Sequence, residues 1–167
     1  MIKSVNHQPQ ASETESLSVT VEGGVAHVAM TSPANRNALS LKMMAALAEA
    51  FATIARDPSV RSVVLSGEGP AFCAGHDLRE ITAARSAPDG GAALFEETMA
   101  RCSALMQQIA ALPQPVIAAV EGVATAAGCQ LVATCDLAVA GEAARFCTPG
   151  VDIGLFCSTP GVALGRA

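Results

Sequence analysis

Short apolar runs alternate with amphipathic segments along most of this chain, and that alternation limits the folds open to it. Three runs have the composition of strands that are buried on both faces of a sheet, namely VRSVVLSG, PVIAAV and DLAVAG. Amphipathic helical segments precede the first run and separate the runs from one another. Strands that alternate with helices form parallel sheets through right-handed crossover connections. The sequence therefore predicts an α/β fold.

Turn and cap signals indicate where these elements begin and end. LSVTVEGGVAHVAM consists of two alternating runs around Gly23-Gly24, which predicts a β-hairpin ahead of the first helix. Ser40 has the position of a helix N-cap, and Asp57-Pro58 ends that helix. The spacing of apolar residues predicts a second helix over residues 94–112 and a short third helix over 126–134.

The two ends of the chain differ from its middle. Residues 1–16 are polar, and we expect them to form a disordered segment ahead of an ordered core over residues 17–167. The last predicted helix starts near Gly161, only a few residues before the sequence stops. We interpret this as an N-terminal fragment of a longer fold.

Composition excludes several classes of function. The net charge is −5 and no basic run occurs, so we expect no nucleic-acid partner. No apolar stretch reaches the length of about 18 residues that a membrane span needs. The N-terminal segment lacks an apolar signal region, and the six cysteines form no CxxC pair. These features predict reduced thiols and a cytoplasmic location.

Two turns rich in small residues each precede a helix or a loop, and both could act through their backbones. GPAFCAGHDL contains Ala74-Gly75, and EGVATAAGCQ contains residues 126–128. The first N–H groups of a helix have no partner within it, and the helix dipole is positive at that end. One N–H donor from each turn would form an oxyanion hole that stabilises charge on a carbonyl oxygen. Alternatively, the small residues serve only tight packing between strand and helix.

Side chains of the first turn offer a different chemistry. Cys73 and His76 lie three positions apart, as a thiol nucleophile and its base could. Cys73, His76 and Asp77 also include the residue types that bind zinc, but the chain has no matching second pair. We therefore expect no metal site.

The two turns and the elements between them, AFCAGHDL and PVIAAVEGVATAAGCQLVATCDLAVA, resemble the crotonase, or enoyl-CoA hydratase/isomerase, superfamily. The resemblance runs from Leu17 to Ala167. It implies an α/β, crotonase-like superhelix of ββα units, with the C-terminal helical part missing, and assembly as a homotrimer or hexamer. It also implies binding of an acyl-CoA thioester, stabilisation of its enolate, and a place among the lyases of fatty acid metabolism. Coenzyme A would belong to the substrate, so no separate cofactor is expected.

Carried over by position, the resemblance assigns the two oxyanion donors to the backbone N–H groups of His76 and Ala127. The imidazole of His76 is then either incidental or a direct acid–base group. Arg36 lies in the loop that meets coenzyme A in the family, and either faces a phosphate or is solvated. The groove for the adenine and pantetheine would be lined by Ala74, Asp77 and Leu78. The carboxylate of Asp77 is expected to cap or order the turn.

The chain departs from the hydratases of this superfamily at two carboxylates. Gln130 stands where they carry one glutamate, and Gly150 stands where a Pro-Glu pair supplies the other. An amide takes no proton at neutral pH, although Gln130 could hold a water. Asp152 would be a substitute base if the backbone there is extended. Ordinary hydration is therefore not expected. Decarboxylation, thioester hydrolysis or isomerisation remain open, as does a non-catalytic acyl-CoA-binding or assembly subunit.

Overall fold

The computed structural model describes residues 10–14, 16–154 and 156–167. Its strands are β1 (Gln10–Thr14), β2 (Leu17–Glu22), β3 (Val25–Met30), β4 (Ser62–Gly67), β5 (Ala71–Cys73), β6 (Val116–Val120), β7 (Val123–Thr125), β8 (Leu137–Ala140) and β9 (Arg145–Cys147). Its α-helices are α1 (Leu41–Ile54), α2 (Leu78–Ala84), α3 (Ala92–Ala110), α4 (Ala127–Thr134) and α5 (Ser158–Leu164). Short 3-10 helices span Pro33–Asn35 and Pro149–Ile153.

The main sheet has six strands in the order β1-β2-β3-β4-β6-β8. The strands of the hairpin β2–β3 are antiparallel. The pairs β3–β4, β4–β6 and β6–β8 are parallel. The parallel sheet predicted from the alternating apolar runs is therefore confirmed. Inward residues of β3 and β4, such as Val28 and Leu65, are completely buried.

Helices α1 and α3 supply most of the core that covers this sheet. The hydroxyl of Ser40 accepts a hydrogen bond from the N–H of Met43 (3.1 Å), which confirms Ser40 as the N-cap of α1. The buried face of α1 includes Leu47 and Phe51, each with no exposed surface. Burial of one such side chain stabilises the fold by about 1.5–3 kcal/mol. No helix in the described part of the chain is both long and apolar enough to cross a membrane.

A second, three-stranded parallel sheet, β5-β7-β9, was not predicted. Each of its strands has only three residues, too few to show an alternating pattern. Each follows a strand of the main sheet and precedes a helix, so the β–β–α order occurs three times. Because β5 and β7 are parallel neighbours, the turns that follow them lie side by side.

The structure adds detail that the sequence did not predict. The run DLAVAG forms β8, an edge strand of the main sheet, but the four residues of β8 are exposed. Apolar composition alone cannot tell whether a strand's outer face is covered. Helix α2 was not predicted. Within residues 1–16, expected to be disordered, Gln10–Thr14 pair with β2, while residues 1–9 and 15 lie outside the described residues.

Candidate active site

The first small-residue turn connects β5 to α2 and is bound to a separate loop. Gly75 has φ +84°, a backbone conformation that favours glycine. The N–H of Ala74 donates to the carbonyl of Arg36 (3.0 Å), and the N–H of Leu39 donates to the carbonyl of Gly75 (2.7 Å). The N–H of Asp77 donates to the carbonyl of Leu39 (3.4 Å). The backbone around His76 is thus fixed on both sides by residues 36–39.

The second turn connects β7 to α4 and is held by its own helix and by β9. The N–H of Ala126 donates to the carbonyl of Cys147 (2.9 Å), and its carbonyl accepts from Gln130 (3.0 Å) at the start of α4. Ala126 has φ 52° and ψ −120°, which is unfavourable for a residue with a Cβ atom. Strain of this kind costs of order 1–3 kcal/mol and is common at functional sites.

The two turns are in contact. A Cβ atom placed on Gly75 would lie 3.1 Å from the Cβ of Ala126 and 3.3 Å from the backbone nitrogen of Ala127. A Cβ atom placed on Gly128 would overlap the carbonyl of Cys73. Small residues at these positions therefore permit close packing of strand and helix, and the same packing brings His76 and Ala127 near each other.

The backbone N–H groups of His76 and Ala127 are available to a ligand. Among the described residues neither donates to another protein group. Ala127 is the first residue of α4, where an N–H has no partner within the helix. Two such donors in adjacent turns can bind one oxygen that carries negative charge, and both sit at the C-terminal ends of parallel strands, where ligands bind in α/β folds.

His76 is partly buried. Its Nε2 atom has no hydrogen-bond partner among the described residues. Burial lowers the pKa of His76 from its usual 6.5, because the charged form is poorly solvated. Burial therefore favours the neutral form of this side chain.

Cys73 does not have the properties of a nucleophile. Its side chain is completely buried, and burial raises the pKa of its thiol to about 12. The thiolate required for attack is therefore scarce near neutral pH. Within the described part of the chain no three His, Cys, Asp or Glu side chains are grouped to hold a metal ion.

A cavity of about 420 Å³ lies beside the first turn. Its lining contains all of the predicted groove residues, including Arg36 and Leu78, together with His76. Asp77 caps α2 as expected, since its carboxylate accepts from the N–H of Arg79 (2.9 Å). Lining residues that sequence reasoning missed include Asn35, Arg79 and Thr125. Only Arg79 gave a signal, as a cation next to the predicted groove residues.

The predicted acid–base positions fall in two different environments. Gln130 is 8% exposed, and its Oε1 is buried without a partner among the described residues. It lies three residues after Ala127 on α4, so both side chains are on one helix face. Asp152 is exposed, and the 3-10 helix Pro149–Ile153 replaces the extended backbone that its proposed role required. Because this segment is not a strand, Asp152 and Gly150 do not share the face that alternate residues of a strand would share.

Comparison with known proteins gives close matches. The chain is 49% identical over 155 residues to enoyl-CoA hydratase domain-containing protein 3, mitochondrial, of Danio rerio, a match that covers 92% of this chain and 52% of the relative. The crystal structure of the human protein of that name superposes with a TM-score of 0.83 at 44% identity, covering 92% of this chain and 58% of that one. A crystal structure of an enoyl-CoA hydratase from Mycobacterium smegmatis has a TM-score of 0.78 at 52% identity, covering 95% and 57%.

The same comparison corrects the expected cytoplasmic location. Relatives from fish, frog, rat, mouse and human are all named as mitochondrial proteins. The cytoplasmic expectation is therefore wrong. It relied on reduced thiols, which exclude oxidising compartments without separating one reducing compartment from another. The chain spans about half the length of the curated relatives it matches.

The family resemblance found in the sequence is supported by an independent match. The family profile described as enoyl-CoA hydratase/isomerase matches residues 20–164, which include both turns and every strand from β3 to β9. The neighbouring structures confirm the crotonase fold, with this chain covering part of it. The chain belongs to the enoyl-CoA hydratase/isomerase family.

Proposed function

We propose that this protein binds an acyl-CoA thioester and stabilises negative charge on the thioester oxygen with the backbone N–H groups of His76 and Ala127. The observation that carries the proposal is the contact between the two turns, where the Gly75 backbone approaches the nitrogen of Ala127. Neither N–H is used by another described residue, so both are available to the oxygen.

The environment of the two donors favours an enolate over a neutral thioester. Ala127 begins α4, so the positive end of the helix dipole adds to its N–H. Ala127 is 3% exposed, and a buried donor interacts more strongly with charge than one in water. Loss of one such donor typically raises the barrier by about 3 kcal/mol.

The cavity beside the first turn supports binding of part of the coenzyme. Its volume of about 420 Å³ falls within the range of ligand sites. Arg36 and Arg79 line it, and their guanidinium groups suit the phosphates of coenzyme A. Ala74 contributes only a methyl group, which leaves room for the pantetheine arm beside the turn.

The residues near the turns favour reactions that need no strong base. Gln130 is an amide, Gly150 has no side chain, and Asp152 is exposed. Decarboxylation of a malonyl-type thioester meets this requirement, because the electron pair of the broken C–C bond forms the enolate as CO2 leaves. A proton from water then gives the shortened thioester. Thioester hydrolysis is the second candidate reaction: water adds to the thioester carbon, the two N–H groups would stabilise the resulting tetrahedral oxyanion, and its collapse releases the carboxylic acid and the thiol of coenzyme A.

Gln130 also favours a second candidate, a non-catalytic acyl-CoA-binding subunit. A buried amide without a protein partner binds polar groups but transfers no proton at neutral pH. Turnover of a panel of acyl-CoA thioesters that includes malonyl-CoA, measured as release of CO2 or free coenzyme A, separates the candidates. Binding without release of either product would favour the subunit.

The trimeric or hexameric assembly that the resemblance implies is a further proposal, tested by sedimentation.

The proposed donors are tested by comparing two ligands that differ at one oxygen. Acetyl-CoA contains the thioester carbonyl, whereas S-ethyl-CoA has a methylene in its place. We expect acetyl-CoA to bind about tenfold more tightly, because two hydrogen bonds contribute of order 1.4 kcal/mol in net terms. Equal affinities in calorimetry would contradict the proposal.

A backbone substitution isolates the second donor. Incorporation of lactic acid at position 127 replaces the N–H of Ala127 by an ester oxygen and leaves the side chain unchanged. We expect the preference for acetyl-CoA to fall several-fold, and any turnover to fall about 10²–10³-fold. His76→Ala retains its N–H and is expected to change the preference far less. If His76→Ala is the more damaging change, then the imidazole, and not the backbone, acts on the thioester.

A further inference from the structure

Asn37 is a completely buried polar residue that lies outside the two turns. Its exposed fraction is 0%. Its Oδ1 accepts from the N–H of Ser32 (2.9 Å), and its Nδ2 donates to the carbonyls of Glu68 and Ala71 (2.9 Å each). Its backbone is left-handed, with φ 53°, which asparagine tolerates better than most residues. Every hydrogen bond of this side chain therefore goes to backbone, and two of them reach across 31 and 34 residues.

These bonds connect the loop before α1 to the segment that leads into β5. Glu68 follows β4, and Ala71 is the first residue of β5. Asn37 therefore holds the loop to β5 at Ala71, two residues before β5 ends at Cys73 and the first turn begins.

Residues 36–39, which include Asn37, run alongside the first turn. The carbonyl of Arg36 accepts from Ala74, and the N–H and carbonyl of Leu39 bond to Gly75 and Asp77. We call residues 36–39 the splint. The splint forms hydrogen bonds with the residues on both sides of His76. Leu39 and His76 form a parallel bridge, but its two hydrogen bonds go to Gly75 and Asp77, so the N–H of His76 takes no part in it.

We propose that Asn37 is a positioning residue for the first of the two donors: it fixes the splint, and through the splint it sets the direction of the His76 N–H. This inference rests on the proposed function. The second donor, on Ala127, lies in a turn that α4 and β9 hold, and no hydrogen bond among the described residues joins that turn to Asn37.

The experiment follows the amide protons of His76 and Ala127 by NMR while acetyl-CoA or S-ethyl-CoA is added. In the wild-type chain we expect both amide protons to move downfield with acetyl-CoA and not with S-ethyl-CoA. In Asn37→Gly, which keeps the left-handed backbone and removes all three side-chain bonds, we expect the Ala127 response to remain and the His76 response to fall by at least half. Asn37→Asp keeps the acceptor for the N–H of Ser32 but loses both side-chain N–H donors. We expect it, too, to retain the Ala127 response and to lose at least half of the His76 response.

A matched control uses a second buried amide at a distance from the turns. Gln114 is 8% exposed and donates to the carbonyl of Ile54 (3.0 Å), next to the N-terminal end of β6. Gln114→Ala loses a buried hydrogen bond and should leave both amide responses as in the wild type. A loss of the His76 response in Gln114→Ala as well would show a general loss of stability and overturn the assignment to Asn37.

The possible failures are distinguishable. If neither amide responds in the wild type, the proposed function is wrong. If both respond in the wild type and both still respond fully in Asn37→Gly and Asn37→Asp, the function stands and the role of Asn37 is wrong. Should the variants not fold, the wild-type side-chain amide protons of Asn37 give the answer, because acetyl-CoA but not S-ethyl-CoA should shift them. Unchanged Asn37 resonances would overturn the inference.

Discussion

The two small-residue turns have similar sequences but are supported in different ways. The first turn, around Gly75, is held by a loop that lies more than 30 residues earlier in the chain. The second, around Ala126, is held by the helix that it starts and by the end of β9. The first has a glycine at positive φ, whereas the second has an alanine there. One turn thus depends on distant contacts without local strain, and the other carries local strain that its neighbours stabilise.

The largest effect is expected from placing a Cβ atom where the turns meet. Gly75→Ala combines an unfavourable φ of +84° with a contact of 3.1 Å to the Cβ of Ala126. We expect a loss of about 3 kcal/mol in the free energy of unfolding, measured with urea, together with loss of the preference for acetyl-CoA. Gly23→Ala is the control, because Gly23 has φ +59° and nothing within 4 Å of the added atom. It should cost only about 1 kcal/mol. Equal losses of unfolding free energy in the two variants would show that contact between the turns adds nothing to the cost of Gly75→Ala.

A smaller effect of opposite sign is expected at the strained turn. Ala126→Gly relieves the positive φ of residue 126 and should raise the free energy of unfolding by about 1 kcal/mol, after the entropy of the more flexible unfolded chain is subtracted. The same substitution at Ala133, inside α4, should lower it by about 1 kcal/mol. If both substitutions destabilise the protein equally, Ala126 carries no strain.

The smallest effect concerns pH and the first turn alone. Burial holds the pKa of His76 below 6.5, so the unfolded chain takes up this proton more readily than the folded one. This contribution to stability is complete above pH 6.5, declines as the pH falls below 6.5, and levels off below the folded pKa. His76→Gln should remove it, so the variant should lose less stability than the wild type between pH 7.5 and 5.5 in urea titrations. Parallel losses in both proteins would contradict a lowered pKa.

Local signals in the sequence were sufficient for the main sheet and its helices. The hairpin at Gly23-Gly24 and the cap at Ser40 depend on neighbouring residues, and both are confirmed. The three-residue strands β5, β7 and β9 are too short to leave a pattern, and their pairing joins distant segments. The apolar composition of β8 did not reveal its exposure either, because composition does not show whether a strand's faces are covered.

For the candidate site, the sequence indicated which residues are small but not what holds them. The positions of Gly75 and Ala127 followed from the two turn motifs, and the structure places these turns in contact. Asn37 was missed because an asparagine in a polar loop usually indicates a turn, and its burial arises from partners far along the chain. The role suggested for Asp152 depended on an extended backbone, which proline and glycine at 149–150 replace with a 3-10 helix.

The central claim is that two backbone N–H groups converge on one thioester oxygen, and a crystal structure of the acetyl-CoA complex tests it most directly. We predict that the thioester oxygen lies about 2.7–3.2 Å from the backbone nitrogens of both His76 and Ala127. An oxygen that contacts only one of these nitrogens, or that faces solvent while both N–H groups bond elsewhere, would contradict the account.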